Sequence, residues 1–146
     1  MAFSNNISTN IIRDAGNSID FIVTPNTLDI YNRIFEGTCN SNRSFTLIGN
    51  YGTGKSTFLW ALEKSIKKEK VYFSEIPSTS KLKGFDFIKL IGSNMSISNS
   101  LTRHLSLPQE ATNGEIIDAL EKLRVKASKK SKGLILLIDE FGKFLE

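Results

Sequence analysis

The run Gly49-Asn50-Tyr51-Gly52-Thr53-Gly54-Lys55-Ser56 constrains the fold of this chain more than any other feature. It fits the phosphate-binding pattern G-x-x-x-x-G-K-[ST] without a mismatch, and the pattern carries meaning only between a strand and a helix. Both flanks read that way: Phe45-Thr46-Leu47-Ile48 is largely apolar, and Thr57 to Lys68 has helical periodicity. A triphosphate concentrates negative charge in a small volume, so backbone N–H groups can surround it only where side chains stay clear. Gly49, Gly52 and Gly54 permit that approach and the backbone angles it needs. A helix opening after Gly54 aims the positive end of its dipole at the phosphates. Lys55 then reaches for the β- and γ-phosphates, and Ser56 supplies a hydroxyl to Mg²⁺. The predicted nucleotide contacts are Gly49, Asn50, Tyr51, Gly52, Thr53, Gly54, Lys55, Ser56 and Thr57.

The rest of the composition narrows the setting. The chain has 146 residues, 40% of them hydrophobic and 23% charged, which suits one compact soluble domain. No apolar run approaches the roughly 18–20 residues that span a bilayer. The opening residues Met1 to Asn6 carry neither the basic residues nor the apolar core of a secretion signal, so the reading is a cytoplasmic chain without a membrane partner. The single cysteine, Cys39, excludes an internal disulfide and reads as a half-buried small residue near a helix end. With one cysteine and one histidine, His104, a zinc site cannot be built from these residue types alone. The formal net charge is +4, with lysines gathered at 64, 67, 68 and 70 and at 126, 129, 130 and 132. These clusters are compatible with a nucleic-acid partner but do not establish one. Both fall at predicted helix ends, where cations complement the helix dipole, and that reading is preferred.

Along the chain, residues 1–20 read as a loosely ordered lead-in and residues 21–146 as one domain. Thr24-Pro25 is a helix start, with Leu28, Ile30, Tyr31, Ile34 and Phe35 at near-helical spacing and Gly37 as the stop. Ser44 to Ile48 is the first predicted strand. In the helix after the glycine-rich loop, Phe58, Leu59, Leu62 and Ile66 form the apolar face and Glu63, Lys64, Lys67 and Lys68 the polar one. Val71 to Ile76 is a second predicted strand, Pro77 to Lys83 a polar loop and Phe85 to Ile91 a short helix. Ser93 to Leu107 has no clear pattern. Thr112 or Asn113 caps a helix with the stripe Ile116, Leu120, Leu123 and Ala127. Lys129 to Gly133 is a turn, and Leu134-Ile135-Leu136-Leu137-Ile138 is an apolar run of the kind found in parallel strands buried on both faces. The alternation predicts an α/β fold around a parallel sheet.

That last strand ends in Asp139-Glu140. A carboxylate there can hold a Mg²⁺-bound water, which assigns Asp139 with Ser56 to the metal. Glu140 is placed to polarise the attacking water as general base, which makes Lys55 and Glu140 the catalytic pair. Carboxylates at strand ends are common. It is the pairing with the upstream loop that makes this one informative.

Together, G-N-Y-G-T-G-K-S and L-I-L-L-I-D-E-F-G-K-F-L-E resemble the Walker A and Walker B motifs of the additional-strand P-loop ATPases. The similarity is to the AAA+ and STAND-like group, and within it to bacterial mobile-element and phage-defence ATPases. It covers roughly Phe21 to Glu146. Asn50 stands where that pattern often has proline, a change the backbone-mediated binding tolerates. The resemblance implies a three-layer αβα core, ATP and Mg²⁺ as ligands, slow or partner-stimulated hydrolysis, and a protein partner or self-assembly. It also implies that Phe21, Ile22 and Val23 lie where relatives contact adenine, although packing in the core accounts for them equally well.

In the additional-strand order, a strand following Walker B inserts beside the P-loop strand, yet this sequence stops at Glu146. Two arrangements accommodate that: an N-terminal portion of a longer ATPase core, or direct pairing of the two motif strands as in the kinase–GTPase branch. Asp139-Glu140 favours the first, so the core is expected to be incomplete at its C-terminus. The expected function is Mg²⁺-dependent ATP hydrolysis by a motor or switch domain. A nucleotide-binding regulatory module without turnover is the alternative. A small-molecule or nucleotide kinase ranks last, because between Ser74 and Asn113 only Arg103 could serve an arginine-rich lid.

Overall fold

The computed structural model describes residues 9–73 and 82–145. The chain divides into two compact units, Met1–Thr79 and Ser80–Glu146, where sequence periodicity suggested a single domain from residue 21 onward.

In the first unit, α1 spans Pro25–Cys39 and α2 spans Lys55–Ile66. Thr24 caps α1 as its sequence predicts: its hydroxyl accepts the Thr27 amide at 3.2 Å, while the Thr27 hydroxyl accepts the Thr24 amide at 2.8 Å. The helix does not stop at Gly37. Gly37 lies within α1, where a Cβ would meet the Phe45 ring at 2.7 Å, so its lack of a side chain makes room for Phe45. Cys39, at the end of α1, is exposed rather than half-buried.

The core of this unit joins Tyr31, Phe58, Trp60, Ala61, Leu62 and Phe73. Tyr31 and Phe73 stack with ring centroids 4.7 Å apart. Glu63, expected on the polar face of α2, is buried at 3% exposure and pairs with Lys67 one turn on. Residues 9–17, expected to be loosely ordered, form a series of turns with Ile11 fully buried. Asp14 organises them. Its carboxylate accepts from the Arg13 guanidinium, the Asn10 amide and the Asn17 side chain. The Arg13 hydrogen bond, then the Asn10 amide, pull its pKa down to about 2 against the opposing effect of burial. The Asp14 carbonyl accepts the Trp60 indole N–H at 2.9 Å, which ties this segment to α2.

The predicted first strand is absent. Residues 42–50 have no regular structure, and Ile48 is 94% exposed. An apolar run becomes a strand only when a neighbour pairs its backbone groups, and among the described residues of this unit no strand does so. Of the predicted strand Val71 to Ile76, residues 71–73 are likewise irregular, and the remainder lies outside the described residues.

The second unit is built on a parallel pair, β1 (Gly84–Ile91) and β2 (Lys132–Asp139), in register from Gly84 opposite Lys132 to Ile91 opposite Asp139. The connection runs through α3 (Ile97–His104) and α4 (Asn113–Ser128), as parallel pairing requires a long crossover. Phe85 to Ile91, predicted as a short helix, is the strand β1. A short apolar run satisfies both periodicities, and here pairing with β2 decides. Ile88 and Leu90 are buried with Leu101 and Ile116, and the predicted α4 stripe contributes Leu120 and Leu123 to the same core. Thr112 is the cap of α4, reciprocated by Glu115.

The described residues therefore make a mixed α/β chain with a two-stranded parallel sheet. Among them the sheet has two strands, and a three-layer core is not shown. No described helix is long and apolar enough to cross a membrane.

Candidate functional site

The glycine-rich loop is in the first unit, directly before α2. Gly52 and Gly54 adopt left-handed backbone angles, φ 79° and φ 82°, where side chains are disfavoured. Gly54 is the N-cap of α2 and offers no side chain to its amides. The first helical bond runs from the Phe58 amide to the Gly54 carbonyl at 2.8 Å. The amides of Lys55, Ser56 and Thr57 precede that bond and so have no partner within the helix. An anion placed there would meet backbone donors and the positive helix pole.

The Lys55 ammonium curls back over the loop, donating to the Gly49 carbonyl at 2.8 Å and the Asn50 carbonyl at 2.6 Å. The Thr53 hydroxyl donates to the same Asn50 carbonyl at 2.9 Å. The side chain of Tyr51 stands out from the loop at 87% exposure. Thr57, counted among the nucleotide contacts from sequence, has its hydroxyl bonded to that of Thr9 at 3.0 Å. This contact was not readable from the sequence, because Thr9 belongs to a segment without periodicity. Phe21 packs edge-on against Tyr72 and Phe73, with centroids 5.3 and 5.9 Å away. Ile22 and Val23 face solvent. Phe21 therefore serves the core.

The acidic pair is in the second unit. Asp139 ends β2 at 6% exposure, and its Oδ1 accepts the Glu140 amide at 2.9 Å. The Asp139 carbonyl accepts the Gly92 amide at 2.8 Å. Glu140 turns left-handed, with φ 53° and ψ 39°, and caps the short 3₁₀ helix Phe141–Phe144. Its carboxylate pairs with the Lys143 ammonium at 2.7 Å. Lys143 went unassigned in the sequence reading, although its place three residues after an acid at a helix start was a usable signal.

The structure thus assembles Gly49 to Thr57 into one loop–helix element and Asp139 with Glu140 into one strand-end turn. Ser56 and Asp139 are hard oxygen donors, the type Mg²⁺ selects. Among the described residues, no group of three or more His, Cys, Asp or Glu side chains gathers as a metal site.

Lysines of both clusters form ion pairs, Lys132 from the first position of β2. Lys64 pairs with Glu69, Lys67 with Glu63 and Lys132 with Asp86. The Lys132 hydrogen bond, together with nearby Lys130 and Lys126, holds the Asp86 carboxyl below its ordinary range. Compared with known protein families, curated proteins and solved structures, the chain matches none.

Proposed function

We propose that this chain binds ATP through the Gly49–Ser56 loop and contributes to its Mg²⁺-dependent hydrolysis, as part of an AAA+/STAND-like motor or switch domain. The observation that carries the reading is the loop itself: an unbroken phosphate-binding motif, left-handed at Gly52 and Gly54, that opens directly into α2.

On this reading the amides of α2 receive the phosphates. Lys55 exchanges the Gly49 and Asn50 carbonyls for β- and γ-phosphate oxygens. Ser56 and Asp139 are the oxygen donors that would serve Mg²⁺, which when bound would neutralise charge on the phosphate oxygens. Glu140 orients the attacking water and takes up its proton. The finer architecture belongs to the same proposal: a three-layer parallel-sheet core acting in the cytoplasm on a protein partner or a second copy. The ion pair between Glu140 and Lys143 favours a second reading, nucleotide binding without turnover, because it keeps the base engaged.

A titration of ATP with Mg²⁺, followed by phosphate release, tests both. Lys55→Ala abolishes binding. Glu140→Gln retains binding and stops release. Failure of the unsubstituted chain to bind ATP refutes the phosphate site, and binding without release supports the second reading.

A further inference from the structure

We propose that Gly92 is a positioning residue for Glu140, an inference that rests on the role given to Glu140 above. Gly92 follows β1 and is buried. A Cβ built on it would lie 1.9 Å from the Glu140 carbonyl oxygen, 2.8 Å from the Glu140 carbonyl carbon and 3.2 Å from Cβ of Lys143. Two of these atoms are backbone, so no rotamer change relieves the overlap. The carbonyl they belong to also accepts the Lys143 amide at 3.0 Å.

The Gly92 amide, meanwhile, holds the Asp139 carbonyl at 2.8 Å. One residue therefore grips the peptide before Glu140 by its N–H and admits the peptide after it by having no side chain. Between those two fixed points Glu140 takes its left-handed conformation, which is unfavourable for a non-glycine residue and so persists only where its surroundings impose it. The same turn sets the start of the 3₁₀ helix and brings Lys143 to the Glu140 carboxylate. Gly92 touches no reacting atom. It acts through the backbone that aims the base.

The experiment compares Gly92→Ala, Glu140→Gln and the double variant in the full chain. It reads kcat, ATP affinity and amide hydrogen exchange. Gly92→Ala lowers kcat by about a hundredfold, the scale of an ångström-level misplacement, with ATP affinity unchanged. The double variant is no slower than Glu140→Gln alone, because both act on one group. In exchange, Gly92→Ala strips protection from the Glu140 and Lys143 amides and leaves the β1–β2 ladder and α4 protected. Unchanged kcat in Gly92→Ala, or a loss of ATP binding in that variant, overturns the inference while leaving Glu140 as the base. Turnover that survives Glu140→Gln overturns the underlying reading and the inference with it. Where the unsubstituted chain shows no turnover, exchange decides: retained protection at Glu140 and Lys143, or loss across the whole ladder, overturns the positioning role.

Discussion

Replacing Trp60 with phenylalanine probes the tie between the N-terminal turns and α2. Trp60 is 2% exposed, and its indole N–H donates to the Asp14 carbonyl at 2.9 Å. Phenylalanine keeps most of the apolar ring but removes the donor and part of the contact area. Large aromatic side chains bury roughly 150–250 Å², so the smaller ring forfeits on the order of 50 Å², or about 1 kcal/mol at 25 cal/mol per Å². The Asp14 carbonyl keeps the Asn17 amide at 3.1 Å, so the substitution removes one of its two hydrogen bonds, worth about 0.5–1.5 kcal/mol. The expected loss is about 1.5–2.5 kcal/mol. With a urea slope of roughly 1–3 kcal/mol per molar, the unfolding midpoint falls by roughly 0.5–2 M. Trp60 is the chain's only tryptophan, so its fluorescence cannot follow the variant; far-UV circular dichroism and amide exchange serve instead. Exchange at residues 10–17 accelerates first, because those turns lose their anchor. A loss under about 1 kcal/mol, or unchanged exchange in residues 10–17, refutes the claim that this bond holds the segment to α2.

The Asp14 carboxylate has a folded pKa near 2 against about 3.9 unfolded. Its stabilisation is therefore complete above the unfolded value and lost as pH falls through the folded one. Asp14→Asn should be less stable than the parent at neutral pH, with the gap closing towards pH 2; a gap independent of pH in denaturant titrations contradicts this. Gly54→Ala meets nothing within 4 Å, so its cost is confined to backbone strain of about 1–2 kcal/mol. That strain is present with or without nucleotide, so it appears as an equal loss of folding stability in denaturant titrations, and an unchanged midpoint argues against a left-handed Gly54.

Much of the local structure was legible because its causes lie within a few residues. Thr24 and Thr112 cap their helices through the residue three positions on. The apolar run Leu134 to Ile138 lies within β2, and the stripe Ile116, Leu120, Leu123 and Ala127 lies along α4. The left-handed turns at Gly52 and Gly54 and the start of α2 follow from the glycines and the helical pattern, whereas the strand expected before the loop is not formed. The boundary of α1 was less legible: the helix runs on through Gly37 to Cys39.

What the sequence determined by itself was therefore structure of short range: a glycine-rich loop opening into a helix, capped helices, and a strand ending in two acids. Tertiary structure decided whatever depends on a partner far along the chain. Phe85 to Ile91 is a strand because β2 pairs with it, whereas Phe45 to Ile48, as apolar but unpaired among the described residues, is not. Glu63 is buried and residues 9–17 are anchored through contacts that no periodicity encodes. The acid pair was visible as two letters. Its geometry comes from Gly92, a residue on another strand's end whose one relevant property is the side chain it lacks. A pattern within one segment reports the preferences of that segment; pairing, burial and close approach are properties of two segments at once, and only folding brings them together.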